Sequence, residues 1–286
     1  TTCGRPAKQP NKENTVHPTQ YHRPASIADA AALAGERDEA KYLSGGHTLL
    51  PTMKLGLARP SDLIDLGTIA ALRGIEANEQ RVSIGATTCH SDVADSPLVA
   101  RFIPALAGLA GSIGDRHVRH RGTIGGSVAN NDPSADYPSA VLGLGATVIT
   151  NRREISADDF FVSLYETALG QGEMITRIVF PVPLVAAYAK LRSPASRFPI
   201  TGVFISRSAQ GVRVAVTGAG SGGVFRAREL EAALTADFRP EALAGLGIDP
   251  SELLGDLNGT PEYRANLVLV MARRAMENLG STKSYK

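Results

Sequence analysis

Two glycine pairs, far apart in the chain, constrain what it can fold into more than any other feature. The longer segment runs Gly122-Thr123-Ile124-Gly125-Gly126-Ser127 and continues with short polar side chains through Asp136. Because glycine lacks a Cβ, its N–H can approach a ligand closely and its φ can be positive. Successive N–H groups in such a turn form a concave anion site. Asn130, Asn131, Asp132 and Asp136 add groups suited to hydroxyls, so the segment fits a nucleotide cofactor with a pyrophosphate.

One such segment by itself is typical of an ordinary turn, since Gly, Asn, Asp and Pro are common in loops. The second pair, Ser44-Gly45-Gly46-His47-Thr48, follows a short apolar run and precedes a helical pattern. This order predicts a strand that leads into a helix N-terminus, where unpaired N–H groups and the helix dipole favour an anion. Together the two turns predict a pyrophosphate held from both sides.

The residues of both turns resemble a known family. Ser44-Gly45-Gly46-His47-Thr48-Leu49-Leu50-Pro51 with Met53-Lys54, and Thr123-Ile124-Gly125-Gly126-Ser127 with Ala129, Asn130 and Asp136, look like the two flavin-binding motifs of the FAD subunit of molybdenum-containing hydroxylases. That family includes the medium subunit of aerobic carbon monoxide dehydrogenase and the FAD domain of xanthine dehydrogenase. The resemblance runs in order and spacing from about Tyr21 to Gly280.

The resemblance implies an α+β fold. A two-lobed FAD-binding domain of the PCMH/vanillyl-alcohol-oxidase type is expected over residues 18–183, with lobes at about 18–70 and 71–183. A small α+β domain with a short antiparallel sheet and helices follows at 184–286. Residues 1–17 are expected to be a disordered tail or one introduced by cloning, and the polar start has no apolar segment of a secretory signal.

The resemblance also implies non-covalent FAD and a set of cofactor-binding residues. Asp136 is expected to hold ribose or ribityl hydroxyls, Tyr188 to stack on the flavin or point its hydroxyl at it, and Lys190 to stabilise negative charge on the reduced ring. For Tyr188 and Lys190 an ordinary strand edge, with one residue buried and one exposed, is an equal alternative. Met174 and Ile175 are expected to pack against the ring, or equally to belong to the core. The full set is Lys41, Tyr42, Leu43, Ser44, Gly45, Gly46, His47, Thr48, Leu49, Ala86, Gly114, Val118, Gly122, Thr123, Gly125, Gly126, Ser127, Ala129, Asn130, Ala135, Asp136, Met174, Ile175, Tyr188 and Lys190.

Three other patterns have alternative interpretations. His47 occupies a position at which a different group of flavoproteins bonds a histidine covalently to flavin, but the residues that follow favour a hydrogen bond near the pyrophosphate. Gly218-Ala219-Gly220-Ser221-Gly222-Gly223 has dinucleotide-motif spacing, yet its strand is the second arm of a predicted hairpin rather than part of a parallel βαβ unit. His117 and His120 lack further metal ligands nearby, so residues 114–121 are predicted to be a solvated basic loop.

Hydrophobic spacing and capping signals predict the main elements. Strands are expected at 21–23, 41–43, 62–66, 81–86, 146–150, 174–182, 201–206 and 212–217. Helices are expected at 27–33, from the first glycine turn through 57, shortly after 87, at 102–113, after 138, at 226–236 and at 261–279.

Composition excludes several classes of protein. The formal net charge of +2 gives no electrostatic footprint for nucleic acid, and no apolar run is long enough for a membrane span. The 2 cysteines provide no disulfide framework and fit a reducing cytoplasm. An iron–sulfur cluster needs about four thiolates, or two with two histidines, so this chain does not hold one.

The first functional hypothesis is therefore an FAD-carrying electron-transfer subunit without catalytic residues of its own. The resemblance implies a large molybdenum-cofactor subunit that hydroxylates the substrate and a small subunit whose [2Fe-2S] clusters relay electrons to the FAD. The flavin then reduces an external acceptor such as a quinone, NAD or oxygen, and a dimer of such heterotrimers is expected. A self-contained flavin oxidase of the same fold is the alternative, and a non-enzymatic nucleotide-binding regulator is a third.

Overall fold

The first lobe is a three-stranded parallel sheet with two helices, seen in a computed structural model that describes residues 18–279. The tail predicted at 1–17 lies outside the described residues. The Oγ of Ser26 accepts a hydrogen bond from Asp29 N and begins the first helix, as predicted. The sheet order is β1-β3-β2. The elements are β1 Gln20–His22, α1 Ile27–Gly35, β2 Ala40–Leu43, α2 Leu49–Lys54 and β3 Asp62–Asp65.

The second lobe is a five-stranded antiparallel sheet in the order β4-β5-β10-β6-β7, with one face covered by helices. Val82, Ile84, Val148, Ile178 and Phe180 point from the sheet into that shared core. The elements are β4 Ile75–Ala77, β5 Arg81–Gly85, α3 His90–Ala94, α4 Pro97–Phe102, α5 Pro104–Gly111, α6 Arg116–Arg121, α7 Ile124–Asn130, α8 Tyr137–Leu144, β6 Thr147–Thr150, β7 Glu154–Ser156, α9 Ala157–Phe160, β8 Phe161–Ser163, β9 Glu166–Thr167 and β10 Ile175–Pro181.

The C-terminal part is a four-stranded antiparallel sheet, β11-β12-β13-β14, packed on two helices. Most of its apolar residues form a separate core, but Tyr188, Phe204 and Ala215 belong to the core of the second lobe. The elements are β11 Val185–Arg192, β12 Pro199–Ser208, β13 Gly211–Thr217, β14 Phe225–Arg226, α10 Arg228–Ala236 and α11 Pro261–Glu277. The architecture is the mixed α+β arrangement that the sequence predicts.

Four local predictions differ from the structure. The helix expected at 102–113 is two helices, α4 and α5, because Pro104 lacks an N–H and the preceding Ile103 takes a non-helical φ of −140°. The expected basic loop contains α6, which Asp115 caps by accepting from Val118 N. The second glycine turn is the first turn of α7. Helix α2 ends at Lys54 rather than Leu57, because Gly56 has a φ of 71°.

The glycine-rich segment after β13 leads into the antiparallel strand β14 and not into a parallel βαβ unit. The dinucleotide interpretation of that segment therefore lacks the fold that it requires. Within residues 18–279, no helix is long and apolar enough to cross a bilayer.

Candidate cofactor-binding site

The first glycine turn connects the end of β2 to the start of α2. Gly46 has a φ of 74°, a conformation that side chains with a Cβ rarely adopt. A Cβ on Gly45 would collide with the carbonyl oxygen of Arg121 and would lie 2.8 Å from the Cα of Gly122. Both positions therefore require glycine, one for its backbone conformation and the other for close packing.

The second glycine turn packs against the strand end at Ala86. A Cβ on Gly125 would lie 2.5 Å from the Ala86 Cβ and 2.7 Å from its carbonyl oxygen. A Cβ on Gly126 would lie 2.9 Å from the Oγ1 of Thr123, the residue that caps α7. The short apolar run that ends at Ala86 and the Thr-Ile-Gly-Gly motif thus form one tightly packed unit.

The two glycine turns meet. The hydroxyls of Ser44 and Thr123 are hydrogen-bonded at 2.8 Å, and the first turn rests on the backbone of Arg121 and Gly122. Residues that lie 79 positions apart in the chain are therefore in direct contact. This contact produces a single site with a glycine turn from each lobe.

The amide groups of the two turns are used differently. Gly125 N donates to Ala86 O at 2.9 Å, and Gly126 N donates to Thr123 Oγ1 at 3.2 Å. The sequence predicted that the N–H groups of this second glycine pair would be free to bind an anion. That prediction is wrong for Gly125 and Gly126, because both N–H groups already have acceptors within the protein. Within the part of the chain described, the N–H groups of Gly45, Gly46, His47 and Thr48 donate no hydrogen bond. Most of the available donors therefore belong to the first turn, at the start of α2, and the second turn adds Thr123 N, which likewise donates to no described residue.

Asp136, which directly precedes α8, is buried and holds two side chains from the C-terminal sheet. Its Oδ1 accepts from the Tyr188 hydroxyl at 2.8 Å and from Lys190 Nζ at 2.7 Å. Burial raises the pKa of Asp136, and the Lys190 ammonium opposes that shift. Lys190 Nζ also donates to the carbonyls of Ser112 and Arg197. These contacts connect β11 to the loops around Gly114 and Asp136.

His90 is a buried residue of the site that no sequence pattern predicts. Its Nε2 would lie 2.6 Å from a Cβ on Gly122, and its ring centroid is 5.3 Å from that of Tyr137. Burial lowers the pKa of His90 to about 3, with smaller contributions from His47 and Arg119, so the imidazole is neutral. Its Nδ1 and the Tyr137 hydroxyl have no partner among the described residues. The sequence holds no signal for this, because His90 looks like an ordinary first residue of a short helix.

Several other predicted residues support the site through packing. Met174 is buried in the core of the first lobe and Ile175 in that of the second. Tyr42 donates its hydroxyl to Gly172 O at 2.8 Å, and burial raises its pKa to about 12. The carbonyl of Ala135 accepts from the Thr217 hydroxyl at 2.7 Å.

The remaining predicted residues lie along the same segments. Gly114 has a φ of 48°, and a Cβ there would meet the Val118 side chain. Ser127, Ala129 and Asn130 lie half-buried on α7, Leu43 and Leu49 are half-buried, and Lys41 and His47 are exposed. Asn131, which the sequence suggested for hydroxyls, instead donates to the carbonyls of Ser163 and Glu166. Its left-handed backbone ends α7 and its side chain supports the β8–β9 hairpin.

The arrangement fits a diphosphate-bearing cofactor. Unengaged N–H groups occur together at the start of α2, and glycine is required where the two turns touch. Among residues 18–279, no group of three or more His, Cys, Asp or Glu side chains is arranged to bind a metal ion.

Residues 16–183 match the family described as FAD binding domain in molybdopterin dehydrogenase. The chain is 35% identical over 273 residues to the carbon monoxide dehydrogenase medium chain of Hydrogenophaga pseudoflava, covering 90% of this chain and 95% of that one. It is 33% identical to the nicotine 6-hydroxylase medium subunit of Paenarthrobacter nicotinovorans, covering 92% and 97%.

Solved structures agree with these relatives. The carbon monoxide dehydrogenase structure from Hydrogenophaga pseudoflava that lacks the Mo-pyranopterin moiety contains a chain that matches with a TM-score of 0.82 at 35% identity, covering 91% of this chain and 96% of that one. Quinoline 2-oxidoreductase from Pseudomonas putida 86 matches with a TM-score of 0.81 at 26% identity, over 91% and 96%. This chain therefore belongs to the family of FAD-binding medium subunits of molybdenum-containing hydroxylases.

Proposed function

We propose that this chain is the electron-transfer subunit of a molybdenum hydroxylase, and that its FAD takes electrons from the [2Fe-2S] clusters of a small partner subunit. The observation that carries the proposal is the junction of the two glycine turns, with a run of unengaged N–H groups on the first turn. FAD supplies the redox chemistry when it is bound, and the protein supplies position and electrostatics.

The chain's own residues have distinct tasks in this proposal. The N–H groups of Gly45 to Thr48 bind the diphosphate, and the paired hydroxyls of Ser44 and Thr123 hold the two turns together beneath it. Asp136 orients the hydroxyls of the cofactor's sugar or ribityl chain, while Tyr188 and Lys190 hold Asp136 in place. The other residues predicted from the sequence remain proposed cofactor contacts.

The rest of the redox chain is proposed to lie on partner subunits. With 2 cysteines this chain cannot supply the four thiolates of an all-cysteine [2Fe-2S] cluster. Relatives are named for carbon monoxide, nicotine and glyceraldehyde, yet their medium subunits are 28–35% identical to this chain over nearly its full length. We infer that the substrate is selected on the large molybdenum subunit. The complete assembly is a dimer of heterotrimers that reduces an external acceptor.

Co-purification tests this proposal. We expect the intact complex to contain molybdenum, iron and FAD, together with one small and one large partner subunit, while this chain carries the flavin. Metal analysis and mass spectrometry of the purified complex measure this. Purification of the chain without either partner and without iron would contradict the proposed electron-transfer role.

Acid precipitation separates this proposal from a self-contained oxidase with covalent flavin. We expect the flavin to stay in the supernatant, because His47 is proposed to act by hydrogen bonding rather than by a covalent bond. Flavin that remains in the protein pellet, and is lost from the pellet when His47 is replaced by Ala, would favour the oxidase.

A further inference from the structure

The turn of the β8–β9 hairpin holds a tyrosine in a backbone conformation that this residue type rarely adopts. Ser163 pairs with Glu166, so Leu164 and Tyr165 form a two-residue turn, and Tyr165 has a φ of 57°. That region of backbone conformation suits glycine or asparagine, and a bulky residue there is an outlier. Such outliers persist only where the surrounding structure enforces them, and they occur most often at ligand sites and active sites.

The end of α7 enforces this conformation. Tyr165 N donates to Asn131 O at 3.1 Å, and Asn131 Nδ2 donates to the carbonyls of Ser163 and Glu166 at 2.7 and 2.9 Å. Asn131 is itself buried and has a φ of 44°. Two of the three non-glycine residues with positive φ in the described chain are therefore bonded to each other. These hydrogen bonds hold the hairpin turn to the beginning of segment 131–136.

The Tyr165 side chain stays at the surface, beside the segment that leads to Asp136. It is 61% exposed. Burial of the remaining part raises the pKa of Tyr165, and the Asp132 carboxylate beside its hydroxyl raises that pKa further. Both the backbone and the hydroxyl of Tyr165 are thus placed against segment 131–136, which ends at the proposed partner of the cofactor's hydroxyls.

The residues that the sequence predicted beside the flavin ring offer it little surface. Tyr188, Met174 and Ile175 are 9%, 2% and 4% exposed, and the Tyr188 hydroxyl is bonded to Asp136. A flat aromatic ring system binds well against an exposed aromatic face. The exposed aromatic residues of the described chain are Tyr21, Tyr165, Phe198 and Tyr263. Of these four, Tyr165 is the one bonded to segment 131–136.

We propose that Tyr165 contacts the flavin ring of FAD with the face of its phenol. The inference rests on the proposed site, in which the joined glycine turns bind the diphosphate and Asp136 orients hydroxyls of the cofactor. A glycine at position 165 would relieve the backbone but would remove the contact. Tyr165 therefore gives up some stability of the fold in favour of cofactor binding.

Two variants of the full-length chain separate this role from a structural one. Tyr165→Gly removes the ring and suits the positive φ, so without FAD it is expected to unfold at the wild-type temperature or up to about 4 °C higher. Its dissociation constant for FAD is expected to rise about tenfold, the size of a lost aromatic stacking contact. Tyr165→Phe keeps the ring and is expected to bind FAD as the wild type does. Thermal unfolding of the FAD-free chain and titration with FAD measure these effects.

The fluorescence of the bound flavin reports the contact directly. A phenol stacked on a flavin quenches its fluorescence by electron transfer, whereas a phenyl ring does not. We therefore expect brighter bound flavin in both Tyr165→Gly and Tyr165→Phe, although only the first loses affinity. The control Phe198→Ala removes another exposed aromatic ring and is expected to change neither the affinity nor the brightness.

Three results would overturn the contact. They are unchanged affinity and brightness in Tyr165→Gly, brighter flavin in Phe198→Ala alone, and a large fall in the unfolding temperature of Tyr165→Gly, which would show that the tyrosine serves the fold. Gly45→Ala tests the underlying site, since a Cβ there collides with the carbonyl oxygen of Arg121. If that variant keeps its FAD, the proposed site at the joined turns is wrong. If it is folded without FAD while Tyr165→Gly binds normally, only the Tyr165 contact is wrong.

Discussion

The backbone of Gly125 passes so close to Ala86 that no side chain fits between them. The contact lies at the start of α7, where Thr123 both caps the helix and bonds to Ser44 of the other glycine turn. A shift of Gly125 would therefore move the joint between the two turns. Glycine is required here because a Cβ would clash with Ala86, and not because the backbone has a positive φ.

We expect Gly125→Ala to lower the free energy of unfolding by about 1–3 kcal/mol through overpacking and to reduce the flavin content of the purified protein. Gly108→Ala is the matched control, since a Cβ at position 108 of α5 meets nothing within 4 Å. That variant is expected to keep its flavin and to be unchanged or slightly more stable, by up to about 1 kcal/mol. Urea unfolding and flavin absorbance per chain measure these effects. Equal stability of the two variants would contradict the packing argument.

Lys190 neutralises a carboxylate that has almost no access to water. The side chains of Lys190 and Asp136 are 7% and 2% exposed, and their charged atoms lie 2.7 Å apart. Removing one member of a buried pair leaves the other charge uncompensated, whereas removing both charges is much less costly.

We therefore expect Lys190→Met to destabilise the protein by about 3–5 kcal/mol. The double variant Lys190→Met/Asp136→Asn is expected to recover a large part of that loss, since an amide needs no counter-charge and its oxygen still accepts from Tyr188. A double-mutant cycle by urea unfolding measures the coupling. Additive losses in the double variant would show that the pair does not act as a unit.

At the scale of secondary structure, Glu173 joins the turn between β6 and β7 to the segment before β10. Its carboxylate accepts from Thr150 Oγ1, from Gly170 N and from the Arg153 guanidinium. The hydrogen bonds from Arg153 are the main reason that the pKa of Glu173 falls from 4.5 to about 2. Folding therefore favours the deprotonated carboxylate.

The sign of the pH effect follows from that shift. Glu173 contributes stability at pH values above its unfolded pKa of about 4.5, and the contribution is lost as the pH falls toward 2. We expect Glu173→Gln to be clearly less stable than the wild type at pH 7 and close to it near pH 2.5. The control Glu154→Gln, an exposed change on β7, is expected to show no such convergence. Urea titrations at several pH values measure the difference, and a gap that stays constant with pH would refute the linkage.

Sequence patterns predict short helices poorly, as two helices near the site show. Helices α6 and α7 are six and seven residues long, and glycine and charged residues in them are more typical of loops. Their caps are visible in the sequence, since Asp115 and Thr123 each precede a helix. The patterns predicted β12, β13 and α11 well, because each of these elements repeats its pattern over several turns or alternations, but they gave no strand at the eight-residue β11.

At the scale of the whole molecule, the C-terminal sheet shares a core with the second lobe. Phe204 of β12 is fully buried in the cluster that also contains Tyr137, Val141 and Phe180. A Cβ on Gly143 of α8 would lie 2.9 Å from its ring, and Ser206 Oγ donates to Gly143 O nearby. The two parts are therefore expected to unfold together.

We expect a single unfolding transition in calorimetry, and we expect Phe204→Ala to lower the stability of the whole chain by about 3–5 kcal/mol. Phe198→Ala, at a position that is 46% exposed, is the control and is expected to change little. Two separate transitions, with only one shifted by Phe204→Ala, would show instead that the C-terminal part folds independently.

The sequence by itself determined the features that contiguous residues encode. Both glycine motifs and the strand or helix type of most longer elements follow from patterns that a few adjacent residues carry. The α+β class and the family follow from the resemblance of those motifs to a known family. The same patterns predicted free N–H groups on both turns, but those of Gly125 and Gly126 are engaged, because a local pattern does not show which N–H groups find partners elsewhere.

Only the tertiary structure decided which groups in the site are free. Ser44 meets Thr123, Gly125 N meets Ala86 O, and Asp136 meets a lysine 54 residues away. The burial of His90 and the outward faces of α2 and α6 likewise depend on what packs beside them. The physical reason is that contacts between distant segments determine which groups are hydrogen-bonded and which are buried. The spacing of residues within one segment carries no information about those contacts.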